Sequence, residues 1–350
     1  MAKNPLRRLT PAPAGAPVGP GTAEARPAGL AVRIHDILHS NATLGPALVL
    51  LLAIAIFAAT TERFLDPANL SLIVQQVMVV GTLGIAQTLV ILTAGIDLSV
   101  GAIRVLSSIV MAKLSAESGV PGLLALLIGF GVGTVCGLIN GLLVSRIKLP
   151  PFIVTLGTFQ IFTALVLYYS ESATIRGADM SSLLLWTGNT FDIGDTRITY
   201  GSLLMLGLFA VAAYALGSTA WGRHVYSTGD DIESARLAGV RTNRVLLSVY
   251  VLAGLVCAIA GWLLIGRIAS ASPQAGGLAN LDSITAVVIG GTSLFGGRGL
   301  VIGTLFGALI VGVLRNGLTL GGVDVLWQDF AVGFLVIVAV AIDQWIRKVR

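Results

Sequence analysis

Charge is scarce in this chain: Asp, Glu, Lys and Arg make up 11% of its 350 residues, against 55% hydrophobic residues and a mean hydropathy of +0.90. A soluble core cannot absorb that much apolar surface, which excludes a water-soluble globular domain and makes lipid the solvent. Aromatics reach only 7%, and the apolar runs do not alternate. An outer-membrane barrel, with alternating strands and aromatic rims, is therefore excluded as well. Cysteine is nearly absent. Cys136 and Cys257 each stand inside an apolar run with no His or second Cys beside them, so they read as packing residues, with no disulfide or metal expected. His35 and His39 have i, i+4 spacing but no third ligand. None of the four lysines follows a glycine, so the phosphate-cradling Gly-Lys-Ser/Thr loop is missing. No His-Glu-x-x-His and no serine with a nearby base occurs. No catalytic set, cofactor or nucleic-acid partner is expected, and any energy from ATP must arrive through another chain.

What is present is a series of membrane-length apolar segments, near 44–60, 70–93, 100–116, 121–145, 151–170, 200–217, 245–266, 280–297, 299–318 and 325–346. These predict an all-α, polytopic bundle of about ten transmembrane helices occupying 44–350, with broken or re-entrant segments. The third and eighth are the doubtful crossings: one carries Arg104 and Lys113, the other is interrupted by Gly290 and Gly291. Ten crossings put both termini on one side, and 15 of the 22 Lys and Arg residues then fall there. The opposite loops hold mainly acids, with Glu171, Asp179, Asp192 and Asp195 in the long loop 171–199. By the positive-inside rule both termini are expected in the cytoplasm. The first 43 residues hold six of the twelve prolines and no apolar h-region. They read as a largely disordered cytoplasmic tail without a cleavable signal, carrying a short surface helix around Ile34–Leu38.

Two passages break the apolar pattern, Val90-Ile-Leu-Thr-Ala-Gly-Ile-Asp-Leu-Ser-Val-Gly101 and Val287-Val-Ile-Gly-Gly-Thr-Ser-Leu-Phe-Gly-Gly297. Non-helical backbone at membrane depth survives only inside protein or against a wet cavity, and paired interruptions mark the route of solute in transporters. The alternative is a pair of glycine-rich loops just outside the bilayer. Gly95, Gly101, Gly290, Gly291, Gly296 and Gly297 are the structural glycines of these breaks. Gln87, Asp97, Ser99 and Asn140 are the candidate lining of a pathway, offering weak donors and acceptors to a neutral solute. Asp97 either faces that pathway or caps the helix beginning at Ser99–Val100, with Arg104 as its candidate partner. Glycine ridges at 129, 133, 137 and 141 and at 299, 303 and 307 predict two central packing helices. Together with the paired breaks they suggest an internal duplication.

The polar stretch 222–247 is the candidate docking loop, with Asp230 and Asp231 suited to a helix start and Gly239 to its end. Within it Glu233-Ser-Ala-Arg-Leu-Ala-Gly239 resembles the Glu-Ala-Ala-x-x-x-Gly coupling motif of binding-protein-dependent ABC permeases. Ala94-Gly-Ile-Asp-Leu-Ser-Val-Gly101 is similar to the signature of the monosaccharide permeases for ribose, xylose and fructose. Lys148-Leu-Pro-Pro-Phe-Ile-Val-Thr-Leu-Gly157, Thr285–Gly299 and Ala341–Lys348 extend the likeness from about residue 45 to the C-terminus. Several stretches look closest to fructose-import permeases. The resemblance implies a permease subunit of the bacterial inner membrane that imports a monosaccharide, with Glu233, Ala235 and Gly239 contacting a cytoplasmic ABC ATPase. It further implies a periplasmic sugar-binding protein and a second permease copy, all within membrane lipid. The rival reading is a stand-alone proton- or sodium-coupled sugar carrier, with Asp97 as its titrating carboxylate.

Overall fold

A computed structural model describes residues 43–194, 196–276 and 279–348. The N-terminal tail, with the surface helix expected around Ile34–Leu38, lies outside the described residues, as does Asp195.

Apolar sequence in lipid must pair its own N–H and C=O groups, and the chain does so almost entirely as helix. In order these are α1 (Leu44–Thr60), α2 (Pro67–Leu92), α3 (Val100–Ala116), α4 (Gly122–Ser145) and α5 (Pro151–Ser170). After a two-residue strand β1 (Ile175–Arg176) come α6 (Ser182–Leu185) and the strands β2 (Thr190–Ile193) and β3 (Thr196–Thr199). The chain continues with α7 (Tyr200–Ser218), α8 (Ala220–Asp230), α9 (Ile232–Leu237), α10 (Thr242–Ile268), β4 (Ser270–Ala271), α11 (Ala279–Ile289), α12 (Val301–Leu320) and α13 (Val325–Lys348). Pro67 and Pro151 open their helices at the position where a missing N–H costs nothing. Among the described residues six helices, α2, α4, α5, α7, α10 and α12, are long and apolar enough to cross a membrane, and α1 and Val325–Val338 add shorter apolar stretches.

The eighth expected span is not a continuous one. Helix stops at Ile289, so α11 is about 16 Å long at 1.5 Å per residue, roughly half of a 30 Å hydrocarbon core, and residues 290–300 follow without regular structure. The third segment is an unbroken helix despite Arg104 and Lys113. Arg104 donates to the Ala275 carbonyl, and Lys113 sits at the far end beside Glu171 at 3.1 Å and Glu117 at 3.6 Å.

Burial separates inner from outer helices. In α2, α10 and α12 between 61% and 78% of the apolar window is buried, but only 28–33% in α4, α5 and α7. The glycine ridge of α4 therefore does not make it central. Only its stripe through Gly129, Gly133, Gly137 and Gly141 is covered, with Gly133 and Gly137 facing the α10 backbone at Gly254 and Tyr250. On α12 the ridge is Gly303 and Gly307, which lie on α11; Gly299 precedes the helix. The helix following the first break is α3 and the one following the second is α12. The two ridges are thus not equivalent positions of a repeat.

The inner pair α2 and α12 run antiparallel. Asn69 and Asn316 exchange amide hydrogen bonds of 2.9 and 2.8 Å, and Thr88 and Thr304 hydroxyls meet at 2.7 Å. At the end where α5 and α10 finish, β1 pairs with β4, and the β2–β3 hairpin folds over the bundle with Asp192 3.5 Å from Arg197. The opposite end carries α8 and α9.

Candidate translocation and coupling site

Helix α2 ends at Leu92, where Ala94 takes a left-handed conformation (φ +60°) and the Gly95 N–H donates to the Val90 carbonyl at 3.2 Å. Residues 94–99 then turn back beside the last turns of α2. Gln87 Nε2 donates to the Asp97 carbonyl at 2.6 Å, and Thr155 Oγ1 to the Ile96 carbonyl at 3.0 Å. Asp97 Oδ1 accepts from Ser99 N at 2.7 Å and Ser99 Oγ at 2.6 Å, while Asn140 Nδ2 donates to Ser99 Oγ at 2.8 Å. Gln87, Asp97, Ser99 and Asn140 are thus brought together in one network, and all four are buried, Asp97 at 2% exposure. This break is enclosed in protein, the condition that irregular backbone requires at membrane depth. Asp97 closes an Asx turn onto Ser99, the residue just before α3, and accepts from no N–H within that helix. Arg104 makes no ion pair with it among the described residues.

Around the same network the buried Gln87 Oε1, Asn140 Oδ1 and Tyr250 hydroxyl have no hydrogen-bond partner among the described residues. Each such group carries about 1–3 kcal/mol of unrecovered desolvation, acceptor and donor capacity that a passing hydroxyl can use. Gly95 leaves room for the Tyr250 hydroxyl, which a Cβ would approach to 2.9 Å. Gly101, in the first turn of α3, donates its N–H to Asn280 Oδ1 at 2.6 Å.

In the second break Gly290 lies against the Gly303 backbone, Gly291 is left-handed (φ +84°), and the chain closes a turn with Ser293 N donating to the Arg298 carbonyl at 2.9 Å. Gly297 N then donates to the Leu92 carbonyl at 3.0 Å, joining the second break to the end of α2. Gly296 and Gly297 have φ of +82° and +69°, and a Cβ would stand 2.8 Å from Ala94 N in one case and 2.8 Å from Asp230 Cα in the other. Only glycine meets both requirements. The third party at this junction is the end of α8: a Cβ on Gly229 would overlap the Leu92 carbonyl oxygen. Tyr226 on α8 also donates to the Gly299 carbonyl at 2.8 Å. Both interrupted passages and the α8 terminus therefore meet at one point.

Asp230 closes α8, and Asp231 opens α9, its Oδ1 accepting from Glu233 N and Ser234 N, each at 2.9 Å. The Ser234 N–H foremost, with that of Glu233, holds the Asp231 carboxyl below its ordinary range. At the other end Val240 N donates to the Ala235 carbonyl and Gly239 N to the Arg236 carbonyl, both at 3.0 Å, with Gly239 left-handed at φ +88°. That is a Schellman ending. Of the three motif residues, Ala235 is buried beneath α9, and Glu233 and Gly239 are exposed, Glu233 holding Arg236 at 2.8 Å. Leu237 projects outward, 89% exposed.

Asn280 escaped the sequence reading: its amide accepts from Gly101 N and donates to the Leu98 carbonyl at 2.6 Å, splinting α11 to the first break. A lone Asn at a helix start carries no signal of a partner 180 residues away. So did the triad in which Arg315 on α12 pairs with Asp282 on α11 at 2.7 Å and Asp329 on α13 at 2.8 Å. One cation and two anions in three successive apolar segments is a signal that could have been found.

Residues 69–340 match the family described as branched-chain amino acid transport system / permease component. The fructose import permease protein FrcC of Rhizobium meliloti is 54% identical over 321 residues, 91% of this chain and 89% of that protein. The ribose import permease protein RbsC of Bacillus subtilis is 40% identical over 86% of this chain and 92% of its own length. The D-allose transport system permease protein AlsC of Escherichia coli K12 is 34% identical over 87% and 92%. No solved structure matches the chain.

Proposed function

The chain belongs to the branched-chain amino acid transport system / permease component family, and on that premise we propose that it is the membrane-spanning subunit of an ABC importer for a monosaccharide, with fructose the first candidate. The observation that carries this reading is the capped helix α9, bearing the Glu233-to-Gly239 motif and a bare Leu237. A six-residue helix is too short to stand alone in water, so a surface-presented one is built to be held by a partner. The sugar assignment draws on relatives named for fructose, ribose and allose, although the family description names amino acids.

In this reading α9 docks in the cytoplasmic ATPase, and the hydrolysis is the partner's. Movement of α9 passes through Asp230 and Gly229 to the point where both breaks meet, so a single displacement acts on the two passages together. The pathway lies along Gln87, Asp97, Ser99 and Asn140, whose network must part for solute to pass. A neutral sugar would there meet amide and hydroxyl groups that bind it weakly enough to let it go. A periplasmic binding protein delivers the sugar at the end capped by β2 and β3. A second copy of this chain supplies the other docking helix for a two-site ATPase. With α9 on the cytoplasmic face of a bacterial inner membrane, the positive-inside pattern supports a cytoplasmic position for both termini. An ion-coupled carrier would need a relay of titratable groups, whereas the residues bonded to Asp97 among the described ones are Gln87 and Ser99.

The test is uptake in cells expressing the permease with its ATPase and binding protein, challenged with a panel of unlabelled sugars. Vanadate-sensitive uptake of labelled fructose, inhibited most by fructose, is expected. Uptake insensitive to vanadate or lost to a protonophore alone would reject the importer, and inhibition chiefly by branched-chain amino acids would reject the substrate class.

A further inference from the structure

Beside the coupling helix is a cavity of about 380 Å³ whose wall carries four arginines. Arg146 comes from the end of α4, Arg236 from α9, and Arg241 and Arg244 from the start of α10. No acidic residue lines it. Glu233 engages Arg236 from outside, while Arg146, Arg241 and Arg244 form no ion pair among the described residues. Three elements thus converge guanidinium groups on one space, and those from two of them, the end of α4 and the start of α10, are unneutralised. The first turn of the 27-residue α10 adds the positive end of a long helix dipole. Guanidinium forks match the oxygens of a phosphate, which several can share.

The surroundings say where that phosphate comes from. The chain leaving Arg146 runs directly into exposed apolar residues, Ile147 and Ile153 at 61% and Phe152 at 51%. A free phosphate has no use for such a flank, and neither has an acidic protein surface. A molecule with an anionic head and an apolar tail uses both. We propose that this cavity binds the phosphate of an anionic phospholipid headgroup, with an acyl chain lying along Ile147, Phe152 and Ile153. The lipid would tie α4, α9 and α10 together at the membrane surface, where basic clusters draw anionic lipid. This does not depend on the identity of the transported solute.

The test uses the purified full chain in detergent, titrated with phosphatidylglycerol or phosphatidylcholine and read by native mass spectrometry. The wild type should retain phosphatidylglycerol preferentially, and Arg146→Gln/Arg244→Gln should lower that retention about tenfold or more, the effect of losing charge-assisted contacts. Arg63→Gln/Arg176→Gln, an equal loss of charge elsewhere on the surface, should leave it unchanged. Should the first double variant aggregate, Arg244→Lys keeps the charge but loses the fork and should still weaken retention. Absence of a phosphatidylglycerol preference, or its persistence in the arginine variants, overturns the proposal. Complete displacement by millimolar inorganic phosphate would assign the site to free phosphate instead. Loss of ATPase association with lipid retention intact would assign it to protein docking.

Discussion

Replacing Gly229 by alanine tests whether one junction links the coupling helix to both breaks. The added methyl group would overlap the Leu92 carbonyl oxygen and crowd Gly297 N, which donates to that oxygen at 3.0 Å. Overpacking by one carbon costs about 1–3 kcal/mol, and a buried N–H left without its acceptor about 1–3 kcal/mol more. Because both arise at one contact they do not add fully, and about 2–5 kcal/mol is expected. That is a large part of a total stability of about 5–15 kcal/mol. At about 2–4 °C per kcal/mol, the purified permease should lose its monodisperse state about 4–20 °C earlier on heating. Uptake should fall even at temperatures where the variant is intact, because the breaks no longer follow α8. Gly207→Ala, with nothing within 4 Å of its new Cβ, is the matched control. A Gly229→Ala permease that melts with the wild type and transports at its rate would refute the junction.

The exposed end of the coupling helix gives two further tests. Leu237→Asp should weaken co-purification of the ATPase about 10- to 100-fold, the range for losing one buried leucine, without changing melting of the permease alone. Gly239→Asp, which forces a side chain into a left-handed position and toward the docked partner, should abolish uptake while the subunit stays in the membrane. Asn280→Leu leaves the Leu98 carbonyl and Gly101 N–H without their partner and should lower stability by about 2–4 kcal/mol, read as an earlier thermal transition. For orientation, single cysteines at Ala178 and His224, both exposed, should label with an impermeant thiol reagent from the periplasm and from the cytoplasm respectively; same-side labelling would contradict the expected sidedness.

The apolar helices and the capped helix α9 were legible because each rests on local chemistry. Apolar length sets a helix such as Pro67–Leu92, and Asp231 and Gly239 cap α9 with their own atoms. Of the pair Asp230 and Asp231 expected at a helix start, Asp231 caps α9 and Asp230 closes α8, since an Asp beside an Asp does not reveal which does which. The segment 280–297 reads as a doubtful crossing because Leu294 and Phe295 extend an apolar window across a turn that Gly290 and Gly291 break, and the helix does stop at Ile289. The four polar residues proposed for the pathway do converge in space. Their closure from solvent was not legible, because burial of Gln87 and Asn140 is decided by α10 and α11 packing over them. Contacts such as Gly229 against Leu92 and Asn280 against Leu98 join residues more than a hundred positions apart, and no periodicity in one sequence encodes them.

In the proposed function this chain moves sugar under the control of an ATPase held by α9. The most direct measurement is labelled-fructose accumulation in proteoliposomes containing the permease and its ATPase, with loaded binding protein on the face opposite α9. Accumulation should require ATP on the α9 side and disappear with Leu237→Asp. Accumulation driven by an ion gradient without the ATPase, or ATP-driven accumulation undiminished in Leu237→Asp, would contradict it.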